Sequence, residues 1–177
     1  MKVINLWGSP GAGKSTTAAG LFYKMKTAGY NVELVTEYVK DAVWDERTNL
    51  FKDQLYLLAQ QNRRLERLRG KVDYAISDSP LLLVLAYSPK DYYNSFNGIV
   101  LDIWNSYENY NYLLHRKHKY INEGRIHTEI EANLINISIN NIFTRYDQYY
   151  DNVYSDGDPA QEIFERIGNN DLPVCGL

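Results

Sequence analysis

Gly8 to Ser15 reads GSPGAGKS and follows directly on the apolar run Val3-Ile4-Asn5-Leu6-Trp7. The pattern is G-x-x-x-x-G-K-[ST] between a strand and a helix, the context that gives it a mechanical meaning. A buried strand that turns at once into a helix implies a β-α crossover, and hence a parallel sheet covered by helices. Gly8, Gly11 and Gly13 let the backbone turn tightly and bring its N–H groups close to an anion. The helix opening near Lys14 adds its positive N-terminal end. The expected phosphate cradle is Gly8, Ser9, Gly11, Ala12, Gly13, Lys14, Ser15 and Thr16. In it Lys14 reaches the β- and γ-phosphates of ATP, and the Ser15 hydroxyl ligates Mg²⁺.

Downstream the pattern alternates. Thr16 to Thr27 carries apolar residues at helical spacing, with Gly29 ending it. Asn31 to Thr36 reads as a second strand ending at Glu37, and Leu50 to Arg69 as one helix stopped by Gly70. Val72 to Ser77 is a third strand that runs into Asp78-Ser79-Pro80, and a helix is expected over Leu81 to Tyr87. Tyr92 to Tyr107 is expected to be helical, with Gly98 a weak point. Asn111 to His115 is a fourth strand, Glu129 to Tyr146 a helix, Tyr149 to Tyr154 a fifth strand and Pro159 to Ile167 a last helix. The tail after Gly168 is expected to be loosely ordered. The implied fold is α/β: five parallel strands with helices on both faces, in one domain spanning 1–177.

Composition narrows the classes. The 177 residues carry a net charge of −3, which gives no global attraction to nucleic acid, so a polyanion would need a local basic surface. The lone Cys175 excludes a disulfide framework and fits a reducing cytosol. No apolar run approaches the roughly 18 residues of a membrane span, and no leader is expected before the first strand, so the expected location is cytoplasmic. Sixteen tyrosines are the odd feature; they are expected to pack half-buried with the hydroxyl in water.

In an open parallel sheet, ligands lie at the C-terminal ends of the strands. Glu37 and Asp78 both fall there. One would serve the metal, with Ser15, and the other would accept a proton from an acceptor hydroxyl. Asp78, closing an apolar strand, has the form of a Walker B residue; which of the two is the base stays open. The segment from Arg116 to 127 (RKHKYINEGRIH) has the composition of a lid that lays a guanidinium on the transferring phosphoryl group, Arg125 first and Arg116 next. His115, His118 and His127 show no zinc spacing. Gln54, Gln60 and Gln61 precede the Asp78 strand, and a Gln amide can pair with a base edge. Arg63, Arg64, Arg67, Arg69 and Lys71 form the local basic cluster where a nucleic-acid backbone would land. Tyr92, Tyr93 and the tyrosines of 107–112 are candidate platforms for a displaced base.

With these residues the chain resembles the thymidylate/deoxynucleoside kinase group of P-loop kinases from Met1 to about Ile167. Val32 to Val39 (VELVTEYV) is similar to the segment whose glutamate takes the proton from a sugar hydroxyl in that group. Asp78-Ser79-Pro80 stands where the group has Glu-Arg-Ser or Asp-Arg, and lacks the arginine. Gln54 stands at a distance similar to that of the group's base-reading glutamine. The stretches GSPGAGKSTTAAGLFYKMKTAGYNVELVTEYVKD, QQNRRLERLRGKVDYAISDSPLLL and EGRIHTEIEA further resemble bacteriophage P-loop proteins that include the 5-hydroxymethyl-deoxyuridine DNA kinases. That resemblance implies an ATP- and Mg²⁺-dependent kinase acting on 5-hydroxymethyluracil in DNA, in the host cytoplasm, with Gln54, Arg63 and Arg64 toward the substrate. A small-molecule kinase for a deoxynucleoside, a nucleoside monophosphate or a nicotinamide riboside-like compound is the alternative, and a non-kinase P-loop ATPase the second. A homodimer is admitted by this reading but not required.

Overall fold

The computed structural model describes residues 1–89, 91–116 and 129–171. β1 (Lys2–Trp7), β2 (Val32–Val35), β3 (Tyr74–Ser77), β4 (Glu108–His115) and β5 (Asp151–Tyr154) form one sheet in the order β2-β3-β1-β4-β5, every pair parallel. The helices are α1 (Lys14–Thr27), α2 (Tyr38–Trp44), α3 (Gln54–Glu66), α4 (Val84–Tyr87), α5 (Phe96–Asn105), α6 (Glu129–Arg145) and α7 (Pro159–Asp171). This is the expected α/β sheet with helices on both faces.

The strand period of two sorts the core into two layers. Val3 and Trp7 of β1 join one cluster with Leu58 and Leu65 of α3, Val100 and Trp104 of α5, and Ile139 and Phe143 of α6. Ile4 and Leu6 face the other way, onto Ala18, Leu21 and Met25 of α1 and Ile163 and Ile167 of α7. β1 is therefore buried on both faces, as a central parallel strand must be.

Several expectations need correction. The stretch from Leu50 to Arg69 is not one helix: Thr48–Lys52 makes a 3-10 turn, and α3 starts afresh at Gln54. Asp53 causes the break, because its carboxylate accepts the Tyr56 N–H at 3.0 Å and caps α3. α5 begins at Phe96 and not at Tyr92, and it runs through Gly98 without interruption. α2 has no counterpart in the sequence reading, although it carries part of the site. α7 continues past Gly168 to Asp171, and the tail beyond it, with Cys175, lies outside the described residues. Among the described residues, no helix is long and apolar enough to cross a membrane.

Candidate active site

The phosphate loop hangs from a strand end that is held from below. Trp7, the last residue of β1, is fully buried, with its ring 4.8 Å from Phe143 and edge-on to Trp104 at 6.0 Å. Its indole N–H donates to Asn111 Oδ1 at 3.0 Å, and the Asn111 amide donates to the Tyr149 carbonyl at 3.0 Å. A buried indole N–H without a partner would cost about 1–3 kcal/mol, so this bond fixes how the chain leaves the sheet. At Gly8 the backbone passes so close to β4 that a Cβ would meet Ala12 Cβ at 2.8 Å and the Leu114 carbonyl at 3.0 Å, at φ +147°. Gly13 caps α1 at φ +89°, in the left-handed region that glycine tolerates best.

Ser9 and Ala12 are buried, and the Ala12 N–H closes a turn onto the Ser9 carbonyl at 3.1 Å. The Lys14 ammonium folds over the loop, donating to the carbonyls of Gly8 at 2.8 Å and Ser9 at 3.2 Å. Ser15 and Thr16 are exposed on the first turn of α1, where an α-helix leaves its N–H groups without intrahelical acceptors. A polyphosphate laid along this loop would meet amides, the ammonium and the positive end of the 14-residue α1.

Glu37 and Asp78 converge on the loop from β2 and β3. Asp78 is 2% exposed; its N–H donates to the Val35 carbonyl at 3.4 Å, and one carboxylate oxygen, Oδ2, takes the Lys40 ammonium at 3.1 Å. The other, Oδ1, is buried without a hydrogen-bond partner. Lys40 also donates to Ser15 Oγ, so one ammonium spans the two side chains expected to hold a metal. An orphaned buried carboxylate oxygen beside a hydroxyl fits a hard cation. Mg²⁺ takes one or two carboxylate ligands and completes its shell with waters and phosphates. Among the described residues, no group of three or more His, Cys, Asp or Glu forms a self-sufficient metal site. Ser15 and Asp78 would thus hold Mg²⁺ together with a nucleotide.

Glu37 is half-buried at the head of α2. Burial raises its pKa above the ordinary 4.5; Lys14 and Lys40 oppose that rise and Asp78 adds to it. A carboxylate raised this way is a better proton acceptor than an exposed one.

Beyond Glu37 a pocket of about 190 Å³ opens between α2, the 3-10 turn, α3 and α4. Its walls include Val39, Phe51, Leu57, Leu81 and Tyr87, and the polar groups facing it include Glu37 and Gln54. Gln54 is 4% exposed, with its amide N donating to the Phe51 carbonyl at 2.7 Å. Burial first, and then the Glu37 charge, push the Tyr87 hydroxyl pKa up. Among the described residues, no lysine or arginine lines this pocket.

Several expected residues lie elsewhere. Gln61 lines the pocket, but its amide serves the backbone: Oε1 accepts the Tyr38 N–H at 2.9 Å and Nε2 donates to the Thr36 carbonyl at 3.3 Å. It holds the start of α2. Neither Arg63 nor Arg64 lines the pocket. Arg64 pairs with Asp41 and donates to the Thr36 carbonyl at 3.1 Å, clamping α2 to α3. The basic cluster is also divided: Arg69 binds Glu66 and Ser106 and stacks on Tyr107, 4.3 Å from the ring. Tyr107 immediately precedes β4 and Tyr110 lies near its N-terminal end, opposite the loop, and Tyr112 is buried, so they are no platform for a base at this site. Tyr92 takes the Leu55 N–H and packs on Phe96. Arg116 follows β4 at the loop end of the sheet, whereas Arg125, His118, His127 and the lid from 117 to 127 lie outside the described residues. His115 bonds Asn152 at 2.6 Å and stacks on Tyr154.

Sequence reasoning missed Lys40, Phe51 and Tyr87. A signal existed for Lys40, which stands three residues after Glu37, the spacing that puts two side chains on one side of a helix. The other two reach the pocket through packing that no local pattern encodes.

The architecture recurs in solved structures. A thymidylate kinase from Ehrlichia chaffeensis superposes with a TM-score of 0.63 at 15% identity, covering 96% of this chain and 97% of that one. A deoxyadenosine kinase from M. mycoides with bound dCTP gives 0.59 at 24% identity, covering 96% and 98%. The same enzyme with products dCMP and dCDP gives 0.56 at 19%, covering 96% and 100%. At these identities the likeness is one of fold, a P-loop kinase-like fold. No curated protein matches the sequence. The family model described as "AAA domain" matches residues 3–157, from β1 through β5. The loop, both carboxylates and the pocket all fall inside that span, and the chain belongs to the AAA domain family.

Proposed function

We propose that the protein is an ATP- and Mg²⁺-dependent kinase whose acceptor is an alcohol on a pyrimidine-sized group. The observation that carries this is Glu37, a carboxylate of raised pKa standing between the phosphate loop and an apolar pocket that has no cation in its lining among the described residues. Among those residues an incoming phosphate would meet a carboxylate and no counter-charge there, while an incoming hydroxyl would meet a base. The likeness of fold to thymidylate and deoxyadenosine kinases supports the same reading.

The acceptor oxygen attacks the γ-phosphorus, the bond from that phosphorus to the β,γ-bridging oxygen breaks, and the hydroxyl proton passes to Glu37. Lys14 and the loop amides hold the β- and γ-phosphates in line; Ser15 and Asp78 hold the metal. Magnesium, when bound, neutralises charge on the β- and γ-oxygens. The apolar walls exclude water that would otherwise compete as acceptor. Gln54 faces the acceptor's ring, with its carboxamide available for a base edge.

A second reading places the alcohol on 5-hydroxymethyluracil in DNA. It is favoured by one observation: VELVTEYVKD and DSPLLL, two segments of the resemblance to phage DNA kinases, supply Glu37, Tyr38, Val39, Pro80, Leu81 and Leu83 of the pocket. A base must then leave the stack to enter. Transfer of labelled γ-phosphate from ATP to 5-hydroxymethyluracil DNA, thymine DNA, free deoxynucleosides and their monophosphates separates the readings. Label on DNA alone selects the second reading, and label on free nucleosides the small-molecule form. Label confined to monophosphates, or released only as inorganic phosphate, would overturn the alcohol kinase.

A further inference from the structure

We infer that Lys40 is a second phosphate-binding cation of this site, held on the metal's protein ligands until a nucleotide enters. The inference rests on the proposed nucleotide and metal chemistry, and goes beyond it by assigning a residue and an order of events. Its ammonium binds Ser15 Oγ and Asp78 Oδ2 at once, the two groups that would hold Mg²⁺. An ammonium and a divalent cation a few ångströms apart repel, and more strongly at a partly buried site than in bulk water. Metal and Lys40 therefore cannot share the position. The divalent ion, arriving with three phosphates, takes it.

Where Lys40 goes next follows from its tether. It sits in the first turn of α2, three residues from Glu37, with its side chain 44% exposed on a flexible four-carbon stem. Lys14 is folded onto the loop itself, bound to the Gly8 and Ser9 carbonyls. Both lysines act on Glu37, so both lie in the electrostatic reach of the place where acceptor and γ-phosphate meet. Released from Asp78, Lys40 finds its strongest partner in the γ-phosphoryl oxygens beside Glu37. There it keeps its protons and offsets charge as the phosphorus changes oxygen partners. The competing account is a resting ion pair that only docks α2.

The full chain with Lys40→Met and Lys40→Arg tests this through binding as well as turnover. Mn²⁺ titrated into the protein with ADP bound, read by the loss of its free electron-paramagnetic signal and corrected for Mn²⁺ on free ADP, should bind Lys40→Met about tenfold more tightly than the unaltered protein, as expected when a competitor for one position is removed. With Mg²⁺ present, the preference for a non-hydrolysable ATP analogue over ADP should shrink about tenfold in Lys40→Met, because only the analogue carries a γ-phosphate, whereas freeing the metal position favours both nucleotides alike. Turnover should fall about 100-fold and be largely restored in Lys40→Arg. Unchanged or weaker Mn²⁺ binding in Lys40→Met, or an unchanged preference for the ATP analogue over ADP, would overturn the assignment. These two arms need no acceptor. Failure of phosphoryl transfer by the unaltered protein would therefore strike the kinase reading alone, and the binding data would still decide Lys40.

Discussion

The two ends of the cleft are made differently. The phosphate-loop end is built from backbone: eight consecutive residues, two glycine conformations and a helix N-terminus make the cradle, and the only long side chain is Lys14. The acceptor end is built from side chains, gathered from α2, a 3-10 turn, α3, the segment after Asp78 and α4. A cradle of amides recognises a polyphosphate whatever the rest of the fold does. A pocket of side chains has the shape that five separately placed segments give it.

That difference accounts for what the sequence disclosed. A contiguous motif carries its geometry in its own spacing, so Gly8 to Thr16 could be placed in advance, and short runs between turns located all five strands, although β4 begins at Glu108, three residues before the expected Asn111. Glu37 and Asp78 were legible because the end of a strand is a topological position. Gln61 and Arg64 were misread for the opposite reason. A Gln or Arg on a helix has a role set by what packs opposite it, here the unpatterned α2, whose first N–H, at Tyr38, donates to Gln61. The Asp53 cap that splits α3 from the preceding turn was equally hidden, because the apolar spacing runs on across it.

The sharpest way to break the contrast is to disable the acceptor end while leaving the cradle whole. Glu37→Gln should lower kcat by about 10²–10⁴, the range for a general base, with nucleotide affinity unchanged. Equilibrium binding beside steady-state kinetics checks this, and a parallel loss of nucleotide affinity would show that the ends are not separable. Next in size is a purely structural attack on the cradle. Gly8→Val places a branched side chain at φ +147° against Ala12 and the Leu114 carbonyl. It should cost about 2–4 kcal/mol, from strain plus overpacking, and appear as a lower urea midpoint. Asn111→Ala removes the acceptor for the Trp7 indole from beneath the loop. The expected loss is about 1–3 kcal/mol in denaturant, with little change at the pocket. If Asn111→Ala instead altered acceptor KM and left stability intact, the support beneath β1 would belong to both ends.

The smallest effect is the most diagnostic of how the acceptor end is poised. Glu37 has a folded-state pKa above its ordinary 4.5, chiefly through burial. A carboxyl with a raised pKa favours the fold while protonated, so its contribution is fully present below pH 4.5 and is lost as pH rises through the folded value. Near neutrality the ionised Glu37 is a net cost to the fold, and Glu37→Gln should melt slightly higher than the unaltered protein at pH 7. The gap should close as the pH is lowered to 4.5, where both carry a neutral side chain. The acid limb of kcat/KM should accordingly lie above the ordinary glutamate range. No gain in Tm, or a gain that grows on acidification, would mean that Lys14 and Lys40 outweigh burial at Glu37. The base would then be held charged by its neighbours and not poised by desolvation.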